Sequence, residues 1–145
     1  MPLTERGLIW YDDCLLKYSD VNFFGKIDNT SKFYMGEFAA DMSDILVEFN
    51  EKRGDFLSQL SEEASVAPKM YAAGELELEG GMKMDGMVQC TRDLSSYDCK
   101  KCLDRILCEL DCRFDGTRRA QLFGGSCFID YQIIYPTFAS AKAIA

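Results

Sequence analysis

A chain of 145 residues has room for one domain of ordinary size, and a hydrophobic fraction of 48% supplies a core and argues against disorder. A formal net charge of −8 disfavours a broad phosphate-binding surface, so no nucleic-acid partner is expected. The sequence contains no histidine, which removes the commonest general base and rules out a Ser-His or Cys-His nucleophile pair.

The amino terminus, MPLTERGLIWYDDC, lacks a basic region followed by an apolar core and does not read as a secretory leader. No apolar run approaches the roughly 18 residues of a membrane span. CLLKY at Cys14–Tyr18 and CFIDY at Cys127–Tyr131 share one pattern: cysteine, two apolar residues, a charge, then tyrosine. Residues 1–24 are therefore expected to be the closing strand of an earlier copy, residues 25–138 one complete copy, and residues 139–145 a tail. Cys14 would then have its partner in that earlier copy, which accounts for the odd total of seven cysteines. Asp12 and Asp13 are adjacent, point to opposite faces of a strand, and make a poor acid/base pair. Asn29-Thr30-Ser31 is a glycosylation sequon in the expected linker, usable in a secreted chain.

KFYMGEF (32–38) reads as the first strand of the main copy. The segment from Ser43 to Ser65 follows with apolar residues at Ile45, Leu46, Phe49, Phe56, Leu57, Leu60 and Ala64, a helical stripe. Ser43 is its expected N-cap, and Pro68 prevents continuation. KMYAAGELEL (69–78) is the next strand, with Glu75, Glu77 and Glu79 at period two on a solvated face. EGGMKMDG (79–86) reads as a hairpin-like loop before the short strand GMVQC (86–90). A second helix begins at Ser95 or Ser96, with Asp98 completing a partial capping box. It buries Cys99, Cys102, Leu103, Ile106 and Leu110, and exposes Lys100, Lys101, Asp104, Arg105 and Glu109. AQLF (120–123) and SCFIDYQIIY (126–135) close the pattern, with Trp10, Tyr131 and Tyr135 read as core aromatics. Strands and helices do not alternate regularly, so the expected class is α+β: two helices packed on one antiparallel sheet.

CTRDLSSYDCKKC, from Cys90 to Cys102, admits three readings. A zinc-like set of Cys99, Cys102, Cys108 and Cys112 falls on one helix. At about 1.5 Å rise per residue it spans about 20 Å, too far for one tetrahedron of ~2.3 Å bonds. A redox C-x-x-C at a helix start favours thiolate, yet no thioredoxin-like β-α-β frame surrounds it. In the structural reading Cys90 closes onto Cys99, and Cys102 reaches Cys127 in the final strand. Those closures contribute roughly 2.7 and 3.5 kcal/mol in the loop-entropy model and persist only in an oxidising compartment. The last reading fits with least strain.

The C-x8-C-x2-C spacing of Cys90, Cys99 and Cys102 resembles the signature of the plant ginkbilobin-homologous domain, also called the stress-antifungal or cysteine-rich repeat domain. IWYDDCLLKYSDVNFFG looks like the end of a first repeat, and FYMGEF, KMYAAGE, VQCTRDLSSYDCKKCL and GGSCFIDYQIIYP look like landmarks of a second. The resemblance implies two helices on an antiparallel sheet of about five strands, stapled by the disulfides Cys90–Cys99 and Cys102–Cys127. The family's third bridge joins a first-strand cysteine to the position of Cys112. FYMGEF offers none, so Cys14, Cys108 and Cys112 stay unassigned. Tandem copies occur in cysteine-rich repeat secretory proteins, plasmodesmata-located proteins and cysteine-rich receptor-like kinases. This implies an extracellular place, in the apoplast or on a cell-surface ectodomain, and a chain without the secretory signal of its relatives.

Some family members resemble lectins that bind mannose through an Asn, an Arg and a Glu. The Arg falls on Arg119, seven residues after Cys112. The Glu position, five after Cys127, is Gln132, which keeps hydrogen bonding but loses the charged acceptor. The Asn has no counterpart in FYMGEF. The expected function is a non-enzymatic extracellular recognition or interaction module of a plant defence or cell-communication protein. Its partners would be cell-wall or fungal glycans or other extracellular proteins, with no metal and no cofactor. The alternative is an intracellular thiol-redox or metal-binding protein.

Overall fold

The computed structural model describes residues 5–11, 14–38, 46–114 and 116–135. Ser43 and Ile45, Asp12 and Asp13, and the tail at 139–145 lie outside these residues. The elements run β1 (Arg6–Trp10), β2 (Leu15–Ser19), β3 (Lys32–Phe38), α1 (Leu46–Val66), β4 (Tyr71–Glu77), β5 (Lys83–Cys90), α2 (Ser96–Arg113), β6 (Thr117–Gly124) and β7 (Cys127–Ile134). The last five strands form one antiparallel sheet in the order β3-β6-β7-β5-β4, while β1 and β2 make a separate hairpin. Two helices cover one face of the five-stranded sheet, which is the α+β layering expected of the sequence.

Alternation explains which side is which. Met84, Val88 and Cys90 of β5, Ala120 and Leu122 of β6, and Cys127, Ile129, Tyr131 and Ile133 of β7 are all buried toward the helices. From α2 they meet Cys99, Cys102, Leu103, Ile106 and Leu110. From α1 they meet Phe49, Leu57, Leu60 and Ala64. Gly86 lets α1 approach closely: a Cβ there would lie 2.8 Å from the Phe56 ring and 3.1 Å from Leu57 and Leu60. At the start of α2 the Ser95 side chain accepts from the Asp98 amide at 3.1 Å, an N-cap that satisfies an otherwise orphaned donor.

Three expectations need correction. The stretch 79–86 is not all loop. A 3-10 turn occupies Glu79–Gly81, and β5 begins at Lys83, because Met84 alternates into the core and pairs with β4 and β7. Glu79 therefore leaves the strand face shared by Glu75 and Glu77. Residues 1–24 hold a two-stranded hairpin rather than one closing strand.

Arg53 occupies the apolar stripe of α1 and is fully buried. Its guanidinium donates to the Tyr131 hydroxyl at 3.2 Å, the Phe114 carbonyl at 3.3 Å and the Asp111 carboxylate at 3.3 Å. It also lies 5.6 Å from the Phe49 ring centre and 5.5 Å from that of Tyr131. This network joins the carboxyl-terminal end of α2 to α1 and β7, with Thr117 bonded to the same Tyr131 hydroxyl.

Candidate functional site

Two disulfides fix α2 to the sheet. Cys90 and Cys127 are register partners across β5 and β7, and each is bonded into the first turns of α2, Cys90 to Cys99 and Cys127 to Cys102. Cys99 and Cys102 are thus joined to different strands and not to one another, so they do not form a C-x-x-C redox pair. Cys14, Cys108 and Cys112 are free and exposed. Among the described residues no group of three or more cysteine or carboxylate side chains is placed to hold a metal ion.

On the face of the sheet opposite the helices, Trp10 of the hairpin meets the Phe33–Phe123 end, and among the described residues no helix or strand covers the rest. Across this face run rows of register partners, one residue from each strand. One row is Glu37, Arg119, Gln132, Asp85 and Glu75 on β3, β6, β7, β5 and β4. Beside it lies Met35, Gln121, Asp130, Met87 and Ala73, and then Phe33, Phe123, Phe128, Gln89 and Tyr71. The polar row and its neighbour border a depression of about 480 Å³, lined among others by Tyr71, Glu75, Asp85, Arg119, Asp130 and Gln132. That volume lies within the ordinary range for small-ligand sites. Arg119 and Gln132, reached in the sequence by counting from two different cysteines, stand directly opposite each other in it.

Alternation with the buried Ala120 and Leu122 turns Arg119 toward the depression. The β3–β6 register shifts between Glu37 and Phe38, an irregularity that leaves Arg118 and Arg119 both exposed between the buried Thr117 and Ala120. Glu37 engages the neighbouring Arg118 at 3.0 Å and 3.2 Å. Burial pushes the Asp130 carboxyl up, opposed by a hydrogen bond from Gln121 at 3.2 Å and by the charge of Arg119. One oxygen of Asp85, Oδ1, is buried with no hydrogen-bond donor among the described residues. The lining combines hydrogen-bond donors and acceptors. Arg119 supplies a fan of donors, Gln132 both donor and acceptor, and the carboxylates acceptors, beside the half-exposed ring of Tyr71. Among the described residues no asparagine lines the depression; Glu37 is the β3 partner of Arg119.

The other residues singled out in the sequence lie elsewhere. Tyr131 is core, bonded to Arg53, and Tyr135 packs half-buried against the core. Trp10 reaches the sheet from the hairpin, its ring 6.3 Å from both Phe33 and Phe123. Asn29 is exposed, and its side-chain oxygen accepts from Arg105. Asp85 and Asp130 were not singled out by sequence reasoning. Strand alternation opposite Met84 and Ile129 is the signal that finds them.

The family model described as salt stress response/antifungal matches residues 39–133. The chain is 49% identical over 135 residues to the antimicrobial ginkbilobin-2-like protein of Castanea crenata, covering 93% of this chain and 55% of that protein. It is 42% identical over 142 residues to cysteine-rich repeat secretory protein 38 of Arabidopsis thaliana, covering 97% and 55%. Among solved structures, the tandem DUF26 ectodomain of the Arabidopsis cysteine-rich receptor-like protein PDLP8 superposes with a TM-score of 0.68 at 24% identity. That of PDLP5 does so with a TM-score of 0.62 at 20% identity. Each structural match covers 88% of this chain and 56% of the other, and the likeness is one of fold. The chain spans about half the length of the curated relatives it matches.

Proposed function

The chain belongs to the salt stress response/antifungal domain family, and from that premise we propose that it is a non-enzymatic extracellular recognition module of a plant defence or cell-communication protein. Its ligand surface is the open sheet face, and its ligand a neutral, mannose-type glycan of a plant or fungal cell wall. The observation that carries this reading is the register pairing of Arg119 with Gln132 inside one depression. Such a site is shallow and its hydrogen bonds compete with water, so binding to a single sugar is weak and gains from several copies. The similarity to an antimicrobial ginkbilobin-2-like protein and to a cysteine-rich repeat secretory protein supports the extracellular placement. The two disulfides support it over an intracellular thiol or metal protein, since such bonds persist in oxidising compartments. The test is a glycan array probed with protein made through a secretory route. Binding to mannose-terminated glycans that Arg119→Ala and Gln132→Ala each abolish supports the reading; an array silent for all of them overturns its carbohydrate part.

Residues 1–24 belong in this proposal to the closing hairpin of a preceding repeat, with 25–138 as a complete one. Their register supports it. The shift along the chain that carries Arg6 to Arg119 also carries Ser19 to Gln132, and it superimposes all five pairs of β1–β2 on the five of β6–β7. Ile9, Leu16 and Tyr18 are exposed, whereas their counterparts Leu122, Ile129 and Tyr131 are buried under helices. A chain lacking residues 1–24 is then expected to unfold cooperatively as the remaining repeat; loss of its folded state would contradict the boundary.

A further inference from the structure

Cys108 and Cys112 lie four residues apart on α2 and are both exposed. That spacing puts two side chains on one helix face, one turn apart, with Cβ atoms about 5–6 Å from each other. The adjacent carboxylates are engaged by arginines, Glu109 by Arg113 at 3.0 Å and Asp111 by Arg53 at 3.3 Å. The two sulfurs are therefore the groups left to act as ligands.

Geometry decides between a bond and a bound ion. A disulfide wants Cβ atoms within about 3.5–4.5 Å, closer than a regular helical turn brings them, and α2 is continuous through Arg113. A single ion with two bonds of about 2.3 Å spans the gap and leaves the turn intact. We infer that Cys108 and Cys112 form a two-thiolate site for one soft, low-coordinate cation of the class of monovalent copper. Thiolates select such ions over hard ones. On binding, both S–H protons pass to solvent and two copper–sulfur bonds form; copper stays monovalent and no electron moves. The site differs from the four-cysteine arrangement excluded above, whose other two members are held in disulfides. It is also independent of the open sheet face.

The test is an anaerobic titration of the intact, disulfide-bonded chain with monovalent copper against a bicinchoninate chelator. One copper per chain is expected to be retained, with thiolate-to-copper absorption in the near ultraviolet. Cys108→Ser and Cys112→Ser should each weaken retention at least about tenfold, while Cys14→Ser leaves it unchanged. Retention that survives Cys108→Ser or Cys112→Ser, or that is lost with Cys14→Ser, overturns the site. So does the absence of copper from the wild-type chain, or a Cys108–Cys112 disulfide found by peptide mapping after thiols are capped at harvest.

Discussion

The indole N–H of Trp10 donates to the carbonyl oxygen of Gly124 at 3.2 Å, tying the amino-terminal hairpin to the end of β6. Trp10 is the chain's one tryptophan, so its fluorescence reports whether that hairpin is docked. Trp10→Phe keeps ring contacts with Phe33 and Phe123 but loses the hydrogen bond, and should cost about 1 kcal/mol of docking. Trp10→Ala should cost about 2–3 kcal/mol, since both are lost. Limited proteolysis between residues 20 and 26 is expected to accelerate in that order while the rest of the chain resists. Equal protection in both variants would mean that Trp10 does not hold the hairpin.

The two disulfides close loops of different length, with sequence separations of 9 and 25. In the loop-entropy model, removing Cys102–Cys127 as a double alanine variant costs roughly 3.5 kcal/mol, and removing Cys90–Cys99 roughly 2.7 kcal/mol. Urea unfolding of the two variants checks the order. The reverse order would show that the helix start, rather than loop length, sets the effect.

Arg53 is fully buried, whereas its ionic partner Asp111 is 62% exposed at the side chain. Much of its worth is packing and hydrogen bonding to Tyr131 and Phe114. Arg53→Ala should therefore destabilise the fold by about 3–5 kcal/mol. Tyr131→Phe should cost about 1–2 kcal/mol, by removing one hydroxyl from the network. Denaturant midpoints measure both, and a loss below about 1 kcal/mol for Arg53→Ala would contradict the role assigned to it.

Asp28 anchors the segment before β3. Its carboxylate accepts from the Thr30 and Ser31 amides at 2.9 and 3.0 Å and the Thr30 hydroxyl at 3.1 Å, with Lys17 at 3.5 Å. Partial burial acts to raise this carboxyl, but the donors from Ser31 and Thr30 outweigh it and bring the pKa from 3.8 to about 2. A depressed carboxyl stabilises the fold above the unfolded value. That contribution is lost as pH falls from about 4 through about 2, and amounts to about 1–2 kcal/mol after solvent screening. Asp28→Asn should remove this acid slope, as read from urea midpoints at pH 5 and pH 2.5. An unchanged slope would place the acid sensitivity elsewhere.

The helices were legible in the sequence wherever one residue class marked one face. Cys99, Cys102, Leu103, Ile106 and Leu110 are all buried on α2, and Ser95 caps it. Arg53 escaped because a charge does not register in an apolar pattern, although it stands four residues from both Phe49 and Leu57. The start of β5 escaped because Gly80 and Gly81 signal a turn, and Met84 supplies too short an alternation to outvote them. At the site, Arg119 and Gln132 could be counted from cysteine anchors. Asp85 and Asp130 could not, because what brings them to the depression is cross-strand register, which spacing along one segment does not encode.

The central claim is that ligands meet the open sheet face, and backbone amide chemical shifts in an isotope-labelled sample titrated with a mannose oligomer test it most directly. The account predicts shifts confined to the strands around Tyr71, Asp85, Arg119, Asp130 and Gln132, and their loss in Arg119→Ala with the fold retained. Shifts centred on α1 or α2, or an Arg119→Ala variant that still responds at wild-type concentrations, would contradict it.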